Sequence, residues 1–341
     1  MRRKVEREKF EPRTAIYTPA EVATYGLQAI EATRQNQARG LSIGIADVRD
    51  YFAPLMPGQV CAIVAQTSNY KSGLLHAIER HAAYQLQEQG REQEILVHVS
   101  VEECVEEQAY LMFARESGED AGRLARGEVQ DWDRLQGCAV GIGTIPIYRI
   151  GDSLARAEDM PHLYMSNMIR SIKFLVEEML DWRPVVAGLF FDYLQAFPID
   201  PEIRAAVQDQ QRRLQVRSDI YRLRQAAAYF NCPVFVGVQA KQKLDGAPGA
   251  NMLIPGIYDG EESSSIAQRC DRIVQLWMPK MTHAIGSVID HKGITQTVEE
   301  DVLWMKVGKQ RGGLPSGKSW KCRVNFQRNE IAPVVEVGIN D

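Results

Sequence analysis

The stretch Ala65-Gln66-Thr67-Ser68-Asn69-Tyr70-Lys71-Ser72-Gly73 follows an apolar run and opens a helical pattern. At such a junction backbone N–H groups and a helix N-terminus can cradle phosphate oxygens, a lysine can reach the outer ones, and a hydroxyl can bind a dication. Against the phosphate-loop pattern GxxxxGK[ST], Lys71 and Ser72 are in place, while Ala65 and Tyr70 stand where the two glycines belong. An amphipathic helix that merely begins Lys-Ser is the bland alternative. A second candidate is Asp192, delivered by Leu189-Phe190-Phe191 to the end of another apolar run. A carboxylate there can hold a magnesium-bound water opposite a phosphate loop; a plain strand-end aspartate is the competing reading.

These residues need rigid elements behind them, and the pattern supplies them. Short apolar runs at Val60 to Ala65, Ile95 to Val99, Ile145 to Tyr148, Val185 to Phe191, Val234 to Val238 and Ile273 to Trp277 are nearly continuous, as strands buried on both faces should be. Helix-like stretches lie between them at Lys71 to Gln89, Ser153 to Asp181 and Ala205 to Phe230. The alternation predicts an α/β fold with a mainly parallel sheet flanked by helices. Val302 to Val307, Ser319 to Phe326 and Val334 to Val337, joined by Gly/Pro-rich turns, predict antiparallel strands at the C-terminal end. Residues 279–300 read as a hairpin or mobile insertion. Near the N-terminus, Thr18-Pro19-Ala20-Glu21 offers an N-cap, a proline at the first helical position and a capping glutamate. Val22, Tyr25, Ala29 and Ala32 follow at helical spacing, so residues 1–39 read as a basic tail plus a helical linker, and 40–341 as the main domain.

Composition bounds the function classes. Forty Lys+Arg against forty-four Asp+Glu give a net charge of −4, so any nucleic-acid contact must be local rather than the work of a bulk positive field. The 45% hydrophobic and 25% charged content is that of a globular chain. Six cysteines without a CxxC pair read as reduced thiols of a cytoplasmic protein, and the scattered histidines give no zinc signature. No apolar run approaches the roughly 18 to 20 residues needed to span a bilayer, so no membrane partner is expected.

With Asp192-Tyr193-Leu194-Gln195 the sequence resembles the C-terminal motor domain of DnaB-type replicative helicases, a RecA-fold family, and the resemblance runs in order over roughly residues 15–336. Ser100-Val101-Glu102 sits where the family places a serine, an apolar residue and a catalytic glutamate. Val236-Gly237-Val238-Gln239 matches its glutamine sensor. Ser265-Ile266-Ala267-Gln268-Arg269-Cys270-Asp271 matches the stretch after its DNA-contacting loop, and Lys309-Gln310-Arg311-Gly312-Gly313 its Lys-Gln-Arg block.

The resemblance implies ATP and Mg2+ as cofactors. Ser68, Asn69, Tyr70, Lys71 and Ser72 would bind nucleotide, with Ser72 and Asp192 organising the metal. Glu102 would act as general base and Gln239 as γ-phosphate sensor, while Lys309 and Arg311 would complete the neighbouring subunit's site. Lys241, Lys243, Ser263 and Ser264 would face single-stranded DNA. The implied assembly is a homo-oligomeric ring, a hexamer, closed by the linker helix. Residues 1–39 hold no counterpart of the family's globular primase-contacting domain, so a separate primase or loader is an expected partner.

Two positions depart from the pattern: Tyr70 in the phosphate loop, and Glu261-Glu262-Ser263-Ser264 where a basic residue is usual. They keep open an alternative, a weakly hydrolysing or non-hydrolysing DnaB-like platform that binds ATP in replication, recombination or defence.

Overall fold

A computed structural model describes residues 17–34, 39–154, 163–181, 184–201, 211–241, 254–260, 265–291, 294–312 and 315–335. The chain divides into two units, residues 1–39 and 40–341. In the first, helix α1 (Pro19–Arg34) starts on a reciprocal cap: the Thr18 backbone N–H donates to Glu21 Oε2 at 2.7 Å and the Glu21 N–H to Thr18 Oγ1 at 3.3 Å. Two of the helix's orphan donors are thereby satisfied.

The second unit is built on a nine-stranded sheet. In chain order its strands are β1 (Val60–Ala65), β2 (Glu94–Ser100), β3 (Ile147–Ile150), β4 (Val185–Asp192), β5 (Val234–Gln239), β6 (Arg272–Trp277), β9 (Val302–Gln310), β10 (Ser319–Asn325) and β11 (Glu330–Val335). Across the sheet the order is β11-β10-β9-β6-β1-β5-β4-β2-β3. The six strands from β6 to β3 are parallel, and β9, β10 and β11 add on antiparallel, as the sequence predicts. Every residue of β1, β2 and β6 is buried, which explains their unbroken apolar runs. Strands β7 (Val288–His291) and β8 (Ile294–Thr297) form a separate antiparallel pair within residues 279–300.

Two apolar layers clamp the sheet. On one face Val97, Leu189, Phe191 and Val236 pack against helices α7 (Met165–Phe174) and α8 (Gln211–Tyr229) through Met168, Ile172, Ile220 and Leu223. On the other, Ile63, Leu96, Phe190 and Phe235 meet Leu74, Leu75, Ile78 and Ala82 of α3 (Lys71–Glu88). Between α3 and α7 come the short α4 (Val105–Ser117), α5 (Ala121–Ala125) and α6 (Trp132–Ile142), which the sequence pattern did not separate. The third strand starts two residues later than its apolar run, because Pro146 has no N–H for the ladder and contributes only its carbonyl, to Leu96. No described helix is long and apolar enough to cross a membrane.

Parallel alignment has one consequence for chemistry. The carboxyl ends of β1, β2, β4 and β5 all open on the same edge of the sheet, the usual ligand edge of such folds.

Candidate active site

β1 ends at Ala65, and residues 66–70 turn the chain directly into α3. Ser68 and Tyr70 carry left-handed backbones, φ 61° and 64°, where a glycine is the usual occupant. Tyr70 therefore adopts the conformation that its glycine counterpart would, and its ring leaves the loop altogether. It packs edge-on against Phe326, with centroids 5.9 Å apart, and donates its hydroxyl to Asn329 Oδ1. The space for it comes from Gly73: a Cβ at that position would lie 2.4 Å from the Tyr70 ring. Asn69 also braces the loop, its Oδ1 accepting from the Met278 N–H at 2.7 Å and its Nδ2 donating to the Thr67 carbonyl at 2.9 Å. What Asn69 and Tyr70 leave for an anion is backbone, not side chain.

A direct test follows from this packing. An exposed helical Gly→Ala change gains about 1 kcal/mol, whereas overpacking a filled site costs about 1–3 kcal/mol. Gly73→Ala should therefore lower stability in urea unfolding, and the same change made in a Tyr70→Gly background should raise it. Stabilisation in both backgrounds would show that the ring does not occupy this space.

Lys71 is buried at the start of α3, its Nζ 3.6 Å above the Tyr193 ring and 3.5 Å from Gln239 Oε1. Burial lowers its pKa, opposed by the charges of Asp192, Glu102 and Glu103. Asp192 closes β4 opposite Ser100 of β2 and is wholly buried. Among the described residues, the Ser72 side chain and Lys71 face its oxygens. Burial raises its carboxyl, while the facing Ser72 side chain and Lys71 pull the other way. A buried carboxylate beside a hydroxyl and a helix N-terminus is an oxygen-donor set that fits Mg2+.

Glu102 lies just past β2, its N–H 3.4 Å from Ser100 Oγ. Its side chain is exposed, yet its surroundings raise the pKa: partial burial first, with Asp192 and Glu103 adding and Lys71 opposing. Gln239 ends β5 and donates Nε2 to Thr67 Oγ1 at 2.8 Å, so its amide spans Lys71 and the loop. Its backbone is clamped on both sides by Gln195, whose Oε1 accepts from the Gln239 N–H at 2.9 Å and whose Nε2 donates to its carbonyl at 3.2 Å. In the sequence Gln195 is marked only by its spacing, three residues after Asp192.

Lys309 and Arg311 are not brought to this edge. β9 runs antiparallel to β6, so its last residues lie beside the first residues of β6: Lys309 pairs with Ile273 and Gln310 with Arg272. Lys309 Nζ donates to the Ala267 and Cys270 carbonyls, and Arg311 pairs with Asp271 at 3.3 Å. Asp271 also accepts from the N–H of Val60, where β1 begins. The six residues of β1 then separate Arg311 from the loop, about 20 Å at a strand's rise of ~3.3 Å per residue.

Of the DNA-facing candidates, Lys241 is exposed, its N–H bonded to the Asp259 carbonyl at 2.8 Å. Lys243, Ser263 and Ser264 lie outside the described residues, as do Glu261, Glu262, Gly313 and the basic tail.

A polar network that no sequence motif marks lies under this site. His76 and Glu79 of α3, His98 of β2, Glu103 and Arg149 meet behind the carboxyl edge. His76 Nδ1 is 3.1 Å from Glu79 and Nε2 3.0 Å from Glu103. Burial alone would discharge that ring; the hydrogen bonds to Glu103 and Glu79 prevail and lift it to about 9. The one sequence signal was His98, a polar residue inside an apolar strand.

Comparison with known proteins places the fold. Among curated proteins none matches the chain. A structure of a DnaB-like replicative helicase and its interactions with primase superposes with a TM-score of 0.66 at 14% identity, covering 91% of this chain. The chain spans only 66% of that helicase's length. The ATPase domain of G40P superposes with a TM-score of 0.68 at 13% identity, covering 93% of this chain and 100% of that domain. At such identities the likeness establishes the fold, and the sequence match is carried by the family model for the DnaB-like helicase C-terminal domain, which covers residues 40–330. The chain belongs to the DnaB-like helicase C-terminal domain family.

Proposed function

We propose that the chain is an ATP-hydrolysing motor that works as a ring of identical subunits on single-stranded DNA. The observation that carries this reading is the split between two edges. Lys71, Ser72, Asp192, Glu102 and Gln239 gather at the carboxyl edge, while Lys309 and Arg311 stand at the opposite one. A site so divided is complete only where one subunit's trailing edge meets another's leading edge, and head-to-tail contacts of that kind close into rings. The reading takes the ring as a hexamer.

In this reading the α3 N-terminus and the Lys71 ammonium bind the β- and γ-phosphates. Mg2+, when bound by Ser72 and Asp192, neutralises phosphate charge. Glu102 accepts the proton of the attacking water. Gln239, held by Gln195, joins the phosphate loop to the segment that begins at Lys241. That segment, with Lys241, Lys243, Ser263 and Ser264, faces the DNA strand in the channel. A separate primase or loader protein is the partner this reading calls for.

Nucleotide titration tests the site. Loss of a charge-assisted hydrogen bond costs about 1.5–3 kcal/mol, so Lys71→Ala should weaken Mg·ATP binding at least about tenfold. Asp192→Asn should weaken it only when Mg2+ is present. Unchanged Mg·ATP affinity in both variants would remove the assignment.

A further inference from the structure

The buried network holds two groups that the nucleotide reading leaves unexplained. His98 is completely buried, and its Nδ1 lies 2.5 Å from Glu79 Oε2. Glu79 is held well below the usual carboxylate range: burial opposes this, but Arg149 and the two histidines outweigh it. A carboxylate only accepts, so Nδ1 is the donor. The neutral ring then carries its lone pair on Nε2, and among the described residues no group bonds to it. The Asp192 carboxylate is buried as well, with the Ser72 side chain and Lys71 facing it.

The groups are neighbours: one ring nitrogen each of His76 and His98 and one oxygen of Asp192 lie within 4.8 Å of one another. Acceptors cannot satisfy each other, and a bare buried lone pair is unfavourable. Bonds of roughly 2.0–2.3 Å to a shared cation span such a gap. His76 itself is not a ligand. Both of its nitrogens already face carboxylates, and its ring is stacked on His98 with planes 8° apart, so its in-plane lone pairs lie in a different layer.

We propose that His98 Nε2 is a direct ligand, beside Asp192, of the cation at the nucleotide site, and that this site favours a first-row transition dication such as Mn2+ over Mg2+. The inference rests on the reading of Asp192 as a cation ligand. Mg2+ demands near-ideal octahedral oxygen coordination, whereas imidazole nitrogen suits the borderline transition metals. His76, Glu79 and Arg149 act behind His98 as positioning residues: they fix its tautomer and ring plane, as outer-shell partners of metal-bound histidines do.

Pulsed EPR on Mn2+ bound to the full chain, with and without ADP, tests this. The expected result is a 14N modulation from one imidazole, replaced by the 15N pattern when the protein is grown with 15N-histidine, a readout that needs no variant. In His98→Asn the modulation should vanish and Mn2+ affinity fall at least about tenfold, with Mg2+ affinity changed less than about threefold. Oxygen-only coordination of Mn2+ in the wild-type chain would overturn the proposal and leave a water bridging His98 and Asp192. Equal losses of Mn2+ and Mg2+ affinity would overturn the preference. A histidine signal in a chain that binds no nucleotide would keep His98 as a ligand and remove the ATPase reading; tight nucleotide binding around an oxygen-only cation would do the reverse.

Discussion

The Glu102→Gln variant should bind ATP with wild-type affinity and hydrolyse it at least about a hundredfold more slowly, the lower range of general-base contributions. Glu102 stands beyond the buried Lys71–Asp192 pair and makes no side-chain bond that holds the loop; only its N–H meets Ser100. The glutamine keeps size and polarity and loses only the capacity to take a proton. pH gives a second handle. The raised Glu102 pKa means that the base is ionised above it and lost as pH falls through it, so the acid limb of the rate profile should sit above the ordinary glutamate value of 4.5. Wild-type turnover in the variant, measured under single-turnover conditions, would return Glu102 to the exposed acidic face that follows β2.

A larger effect is expected at Arg311. Arginine fingers contribute about 10³–10⁵ to turnover, and Arg311 stands a full strand length from its own loop, so Arg311→Ala should abolish hydrolysis while sparing ATP affinity. The decisive version mixes this variant with Lys71→Ala. Each is inactive alone for a different reason, and random mixing at equal amounts makes about a quarter of head-to-tail interfaces whole, with an intact loop facing an intact finger. Activity should reappear in the mixture. Demonstrated subunit exchange without any recovery would mean that Arg311 acts within its own chain or only braces Asp271 and the Gln268 carbonyl, its partners in the isolated subunit.

What could be read from the sequence was whatever a local pattern dictates. Lys71-Ser72 and Asp192 were legible because each follows a strand buried on both faces, and such strands announce themselves as continuous apolar runs. The antiparallel end of the sheet was legible from short strands and turn residues. Tyr70 was not, because its side chain is accommodated by Asn329, 259 residues away, and by a glycine moved three positions along to Gly73. The Gln195 clamp and the His76–Glu79–His98 network were hidden for a similar reason. A buried polar residue is tolerable only with its partners, and Gln239, Glu103 and Arg149 come from other strands and loops. The small shift of β3 was the exception, a local effect of Pro146 that the apolar run masked.

The central claim, that the two-edged site drives a DNA-tracking motor, is tested most directly by the steady-state rate of ATP hydrolysis of the full chain with and without poly-dT. The account predicts measurable turnover that rises when the strand is added, because the segment beginning at Lys241 is tied through Gln239 to the phosphate loop. Tight ATP binding with no turnover, in the presence or absence of the strand, would contradict it and leave a nucleotide-binding platform in its place.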